Sequence, residues 1–523
     1  MEGERKDFFQ LLLTAFLLLF SAVLFLQKIN LTTADLGRHI KNGELILQGI
    51  ALEKVLGTNL YSYTYPDFPF LNHHWGSGVI FYLVHQFFGF AGISAFFLII
   101  SLVTLSLFFS VAVRKSNFST AFLVAVVLLP LMANRTEIRP EAFSYLFCGI
   151  FWWILDKASR SDQERESWQG LVVLPILETF WVNLHIYFFL GFVLTGVFMI
   201  EKIIKKEYKA GRNLLLTLFL CVLASLLNPA GLRGVLYPLQ IFGNYGYRVL
   251  ENQSVWFLDK IIKYPASLYF KIDFGLLLLS WLIVLLRRKN FSFSNLIFSV
   301  FISYLGWTAV RNFALFGLFS LPIISSNLSD FGLPRRRLGK PKEVEEVSKY
   351  FAISSLAVLI IFVLFLINIP FWQTKSSVGF GLKEGVEKGA EFFQRQHLQG
   401  PIFNNYDNGS YLIYFLYPQE RVFVDNRPEA YPKDFFEKIY IPMQENEEVW
   451  KQMEKKYNFN VIFFYRLDLT PWAQTFLINR VSDPSWSPVY VDDYSIIFAK
   501  RNEKNKEVIK KFELPKGIFT VRE

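Results

Sequence analysis

Cysteine is almost missing from this sequence: its 523 residues hold two, Cys148 and Cys221, each inside an apolar run. That argues against a disulfide framework or a thiolate metal pair, and both read as small buried hydrophobes. Charge is also scarce. Asp, Glu, Lys and Arg make up 19% of the chain, while 53% is hydrophobic and the mean hydropathy is +0.31. A soluble protein carries about a quarter charged residues, so a single soluble globule is excluded. No basic stripe with interleaved aromatics is present, and the connectors rich in Lys and Arg contain no Gly-rich phosphate loop. The net charge of +10 therefore does not point to nucleic acid. Lys and Arg cluster beside apolar runs, where they set orientation against a bilayer and its anionic headgroups.

What is abundant is apolar length. Runs fall at 8–26, 91–113, 117–133, 141–155, 168–183, 186–200, 213–227, 272–286, 291–308, 313–327 and 350–370. A bilayer-spanning helix needs roughly 20 such residues, which predicts about eleven crossings. The first run is too long for a signal peptide, and no small-x-small site precedes Gln27 and Lys28, so it reads as an uncleaved membrane helix. Gly76 to Phe90 is short and contains His85 and Gln86, and reads as an interfacial helix. Basic groups fall on every second connector: Arg5–Lys6, Arg114–Lys115, Lys157 with Arg160 and Arg165, Lys202 to Arg212, Arg287–Arg288–Lys289 and Arg335–Arg336–Arg337. Short cytoplasmic loops concentrate Lys and Arg in this way. The N-terminus is thus expected in the cytoplasm and everything after Pro370 outside it, in a cell (inner or plasma) membrane. The expected fold class is an α-helical polytopic membrane protein, residues 1–370 with a large first outer loop at 28–75, followed by a soluble extracytoplasmic α/β domain at 371–523.

The outer loops of this topology hold the reactive side chains. They carry Asp35-Leu-Gly-Arg38-His39, Asn72-His73-His74-Trp75, Asn134-Arg135-Thr-Glu137-Ile-Arg139-Pro-Glu141, Asn183-Leu-His185, Asn228-Pro-Ala-Gly-Leu-Arg233 and Arg311-Asn312. Asp35 and Glu137 are candidates for a general base or a metal ligand. Arg38, Arg139, Arg233 and Arg311 are planar cations suited to phosphate oxygens, and His39 and His74 can donate to phosphate or move protons. Such a set fits displacement of a phosphorylated leaving group by an acceptor hydroxyl or amine. His73, Trp75, Glu178 and His185 are candidates to line the acceptor cavity. Glu178, Val182 and His185 share one face of a membrane helix.

Each piece has a plainer reading. Asp35 is well placed to cap a helix. His73 and His74 are adjacent, and adjacent side chains on a helix or strand point apart, which weakens them as a metal pair. Arg139 and Arg311 sit at membrane ends, where snorkelling is the default. Glu178 can serve interhelical hydrogen bonding.

After Pro370, strand-like runs occur at Pro401–Asn404, Arg421–Val424, Asn460–Tyr465, Ser487–Val491 and Ser495–Lys500, with helical stretches at Pro432–Tyr440, Glu447–Tyr457 and Pro471–Arg480. The last two strands are joined by an Asp492–Asp493 turn. The clusters Asn404-Asn405-Tyr406-Asp407-Asn408-Gly409 and Asp425-Asn426-Arg427 follow strand ends, where open α/β sheets place ligands; they are also ordinary turn chemistry.

The segments TTADLGRHIKNGELIL, NHHWGSGVIFYL, RPEAFSYLF, WVNLH, LNPAGLRGVLYPL, VRNFALFGL and NNYDNGSYLIYFL…VFVDNRPEAY, scattered over most of the chain, resemble the GT-C superfamily of polytopic glycosyltransferases. The resemblance implies a GT-C-like membrane domain and a polyprenyl-phosphate-linked sugar as donor. It also implies a glycan, lipid or protein acceptor and an active site on the outer face. By position, Asp35 corresponds to the aspartate after the first membrane helix that acts as base or positions the acceptor. Leu36 and Gly37 stand where a second acid is familiar, so no cofactor is certain and a divalent metal is possible. The alternative functions are a non-catalytic envelope assembly protein, or a lipid or glycan transporter; a transporter predicts internal repeats and mid-helix charge, and no repeat is present.

Overall fold

The computed structural model describes residues 2–50, 52–160, 164–240, 243–287, 292–329 and 342–519. Arg288, Lys289 and Arg335–Arg337 lie outside the described residues, as do the side chains of Arg5 and Arg165. A helix lies over each apolar run read from the sequence. Among the described residues, five helical stretches are long and apolar enough to cross a membrane: Lys6–Phe25, Trp75–Lys115, Ile186–Ile204, Ala266–Leu286 and Lys349–Ile367. Phe118–Met132, Gly170–Leu184 and Phe293–Thr308 are shorter and equally apolar in character. Large side chains such as Leu11, Leu19, Ile200, Leu286 and Val358 face outward from these helices. Water would penalise that surface and lipid does not, so this is a membrane protein.

The helical stretch from Trp75 to Lys115 is not continuous. Gly89 interrupts it at φ 62°, a left-handed conformation that a side chain resists. The segment expected to be interfacial therefore ends at a real break.

By its contacts the chain divides into two compact units. The first comprises Met1–Gln27, Ser94–Gly231 and Val249–Gly379; the second comprises Lys28–Ile93, Leu232–Arg248 and Phe380–Glu523. Hydropathy draws a boundary at 370/371. The contact division instead groups the first outer loop with the C-terminal chain.

Aromatic rings fill much of the first unit's interior. Trp152 lies 4.9 Å from both Phe298 and Phe319, and Phe108 lies 5.5 Å from Phe319. Its charged connectors are paired locally, as where the buried Asp156 carboxylate faces Arg114, Lys115 and Arg160.

The second unit contains a four-stranded sheet of β1 (Ile402–Asn404), β2 (Val461–Tyr465), β3 (Trp486–Val491) and β4 (Ser495–Lys500), in the order β1-β2-β4-β3. β1 and β2 are parallel and the other pairs antiparallel. Asp492 closes the β3–β4 turn, its Oδ1 accepting the amides of Tyr494 and Ser495. The strand expected at Arg421–Val424 is not in this sheet. The Asn404 side chain accepts from the Phe423 amide at 2.9 Å and donates to the Val424 carbonyl at 2.7 Å. Val422 instead bonds Tyr61 and Tyr63 and forms one bridge with Ser62. A side chain has thus taken the ladder bonds a fifth strand would need. The core beneath is aromatic, with Phe403 packed on Phe423, Trp450, Phe459, Phe464 and Phe476.

Candidate active site

The helix Leu36–Leu47 carries the first candidates. Leu36 and Ile40 share one side of it and Leu45 lies on the opposite side, and both sides are buried. Its glycines allow close approach of other backbone. A Cβ on Gly37 would lie 2.7 Å from the Ser410 carbonyl oxygen, and one on Gly43 would lie 2.1 Å from that of Gly78. The helix is thereby wedged against the start of the Trp75 helix and the helix Gly409–Leu416.

Asp35 stands at the N-cap, yet its side chain makes no capping bond. Its Oδ1 lies 3.8 Å from Arg38 Nη2, one turn along. Arg38 is 4% exposed, and its Nε has no hydrogen-bond partner among the described residues. A guanidinium buried with a spare donor is an unsatisfied group that an anion would complete. Burial lowers the Arg38 pKa from its ordinary value and nearby Arg427 adds to this, opposed by Asp35, Asp425 and Glu429.

Arg427 is differently placed. Its Nε and Nη2 donate to the two oxygens of Asp425 at 2.7 and 2.6 Å, and Nη2 also reaches Asn59 Oδ1 at 2.7 Å. Its guanidinium lies 4.6 Å over the Phe70 ring. Glu429, half-buried nearby, has its carboxyl pushed up by burial against the pull of Arg38 and Arg427.

The histidines join the same unit. The buried His39 ring lies edge-on to His74 at 5.5 Å. His73 and His74 do not diverge as adjacent residues on a helix or strand do; their centroids are 3.8 Å apart. They occupy the turn that precedes the Trp75 helix, so regular alternation does not govern them. His73 also lies 5.0 Å from Tyr237. The half-buried Trp75 opens its helix, and Arg233 is exposed on the short helix Leu232–Leu236. Asp35, Arg38, His39, His73, His74, Trp75 and Arg233 therefore all fall in the second unit.

Glu137, Arg139, Arg311, Glu178 and His185 fall in the first. There Arg139 donates to Glu137 at 2.8 Å and to Glu251 at 2.9 Å. Arg135 bonds Glu141 and Glu251. Arg311 lies 3.6 Å from Glu141 and donates to Asn252 at 3.0 Å. Burial alone would raise the Glu251 carboxyl, but Arg135, Arg139 and Arg311 hold it well below the usual carboxylate range. Three guanidiniums here meet three carboxylates, so this cluster is charge-balanced. A cavity of about 30 Å³, room for one water, is lined by Arg135, Glu137, Glu141 and Tyr145.

His185 does not extend the Glu178 helix. It caps the short turn Ile186–Phe188, accepting the Tyr187 amide at Nδ1. Trp181 Nε1 donates to Ser144 Oγ at 2.7 Å, and that hydroxyl lies 2.7 Å from His185 Nδ1. Glu178 is fully buried, with no hydrogen-bond partner for either oxygen among the described residues. Gly191 leaves it room, since a Cβ there would lie 2.4 Å from Oε2.

Arg135, Ser410, Asp425, Arg427 and Glu429 stand in segments singled out from the sequence without a role of their own, and Glu251 was missed. Their roles depend on partners distant in the chain. Among the described residues no group of three or more His, Cys, Asp or Glu side chains is arranged to hold a metal.

No protein-family model matches the sequence, and no curated protein is significantly similar to it. Solved structures are similar in three dimensions. Over 95% of this chain and 75% of the other, it matches the Archaeoglobus fulgidus oligosaccharyltransferase AglB in complex with an inhibitory peptide and a dolichol-phosphate, at 11% identity and a TM-score of 0.58. It matches ArnT from Cupriavidus metallidurans in the apo state over 97% of this chain and 99% of that one, at 13% identity and a TM-score of 0.54. ArnT bound to undecaprenyl phosphate matches at 12% identity and a TM-score of 0.50, over 94% of this chain and 97% of that one. At such identities the likeness is one of architecture, and the fold of this chain is the one these solved structures share.

Proposed function

We propose that this chain is a membrane glycosyltransferase that moves a sugar from a polyprenyl-phosphate-linked donor to an extracytoplasmic glycan, lipid or protein acceptor. The observation that carries this reading is Arg38, a buried guanidinium with an unpartnered Nε, one helical turn from the Asp35 carboxylate. The similar folds support a lipid phosphate as substrate, because AglB was solved with a dolichol-phosphate and ArnT with undecaprenyl phosphate.

In the proposed reaction Asp35 accepts the proton of, or orients, the acceptor hydroxyl or amine as it attacks the anomeric carbon. The bond from that carbon to the phosphate oxygen breaks, and its electron pair leaves on the lipid phosphate. Arg38, with His39, His74 and the exposed Arg233, neutralises the charge that develops there. Arg139 and Arg311 are already matched by carboxylates, which favours Arg38 over them as the principal phosphate cation. The N-terminus is assigned to the cytoplasm and the second unit to the outer side, on the alternation of basic connectors.

The test is transfer of radiolabelled sugar from polyprenyl-phosphate donors by the purified, detergent-solubilised chain. Asp35→Asn is expected to abolish transfer without lowering the folded yield. Undiminished transfer by that variant removes Asp35 from the mechanism. Substrate movement across sealed vesicles without transfer favours a transporter.

A further inference from the structure

Ser410 begins neither a known motif nor a charged cluster, yet its hydroxyl sits at the first turn of the Asp35 helix. The Arg38 backbone amide donates to Ser410 Oγ at 3.2 Å, and Ser410 Oγ donates to the Asp35 carbonyl at 3.0 Å. One hydroxyl thus bridges the backbone of the two residues that the proposed function uses. It satisfies the Arg38 amide, which belongs to the first turn, where no intrahelical partner exists for every donor. A capping side chain would normally come from the N-cap residue itself, but the Asp35 side chain makes no such bond.

The surroundings hold Ser410 in place. It is fully buried, and its own carbonyl lies where a Cβ on Gly37 would come within 2.7 Å. On the preceding residue, a Cβ on Gly409 would lie 2.4 Å from the Asp425 Cα. Asp425 is in turn locked to Arg427 through both carboxylate oxygens. Asn408, one residue further back, donates to the Phe463 carbonyl on β2. The sheet and the Asp425–Arg427 pair therefore fix the serine that fixes the helix end.

We infer that Ser410 is a positioning residue for the proposed transfer, setting the backbone from which Asp35 and Arg38 present their side chains. This gives residues 404–410 a framing role, and it rests on the glycosyltransferase reading. Asp35 ends the helix and keeps 18% of its side chain exposed, whereas Arg38 is boxed in at 5%. Loss of the bridge consequently displaces Asp35 first. A misplacement near 1 Å costs about 10²-fold in rate.

The test uses the full-length chain in detergent, with a polyprenyl-phosphate sugar that the wild type accepts. Ser410→Ala is expected to lower kcat at least tenfold while KM for the lipid donor changes less than threefold. Ser410→Cys, which keeps the side-chain volume but hydrogen-bonds weakly, is expected to do the same, and it carries the test if the alanine variant fails to fold. Wild-type kcat in a folded Ser410 variant overturns the inference, as does a loss that appears only as reduced folded yield. Absence of transfer by the wild type itself overturns the glycosyltransferase reading and this role with it. Wild-type transfer with unaffected Ser410 variants overturns the role of Ser410 alone.

Discussion

Arg427 and Asp425, two residues apart in sequence, face one another through two hydrogen bonds of 2.7 and 2.6 Å, and both side chains are almost wholly buried. Arg38 feels Arg427 as a neighbouring positive charge and has a donor left over. Two buried arginines in one unit therefore have opposite characters. One is consumed by structure and the other has capacity to bind.

That difference is measurable. Arg427→Ala and Asp425→Ala each leave a buried charge without its partner, an arrangement that costs about 3–5 kcal/mol. Both are expected to lower the yield of monodisperse protein and its melting temperature sharply. Arg38→Ala removes a charge that is only loosely paired, and folded yield should stay close to wild type. Equal instability of Arg38→Ala would place Arg38 in the scaffold.

In transfer assays the roles should separate by kinetic constant. Asp35→Asn is expected to reduce kcat by about 10²–10⁴-fold, the range for loss of a general base. Arg38→Ala should raise KM for the lipid-linked donor as well as lower kcat, because in the proposed reaction Arg38 meets a phosphate present in both ground and transition states. A pure kcat effect for Arg38→Ala would argue against direct contact with the donor.

Glu251 gives a pH test. Its carboxyl is held below its ordinary value of roughly 4.3 by three arginines. A depressed carboxylate contributes stability that is fully present above the unfolded value and disappears as pH falls toward the folded one. Glu251→Gln should therefore melt several degrees below wild type from pH 8 to pH 5. The gap should narrow as pH drops beneath about 4.3. A gap that does not change with pH would mean the loss is one of packing and not of charge.

Lys375 predicts a slope of the opposite cause. Its buried amine donates to the Ala133 carbonyl at 2.7 Å, and burial lowers its pKa to about 8, with Glu137 opposing. An unfolded lysine titrates near 10.4. Between these values the unfolded chain keeps a proton that the folded chain has lost, so stability rises with pH across that window. Below pH 8 the penalty is complete. Melting curves from pH 7.5 to 10 should show this rise in wild type and a flatter profile in Lys375→Met.

Sidedness is open to direct labelling. Cys148 and Cys221 are buried, so single cysteines placed at the exposed Lys209 and Lys504 report their own surroundings. In oriented membrane vesicles an impermeant maleimide is expected to reach Lys504→Cys and Lys209→Cys from opposite sides. Labelling of both from one side would remove the basis for an outer active site.

The segment 421–424 shows where local pattern misleads. Arg421-Val-Phe-Val424 has a strand's composition, but the Asn404 side chain already occupies its amide and carbonyl bonds. The His73–His74 pair shows the converse: adjacency suggested divergence, and a turn brought the rings to 3.8 Å. Arg139 and Arg311 had the right chemistry for phosphate, but their guanidiniums meet Glu137, Glu251 and Glu141. Glu251 lies more than a hundred residues from Arg139, and no spacing rule announces such a partner.

The sequence by itself determined the membrane class, the helices over its apolar runs, the small sheet-containing C-terminal region and the cluster of acids, imidazoles and guanidiniums in particular connectors. Those properties follow from hydrophobic length and from residue type, which are local. Tertiary structure alone decided that Arg427 is held by Asp425 while Arg38 keeps an unpartnered Nε, and that a serine far along the chain would stand in for the cap of Asp35. Hydrogen bonds and ion pairs are satisfied by whatever the fold brings within about 3 Å, and that distance is set by packing, not by position in the chain.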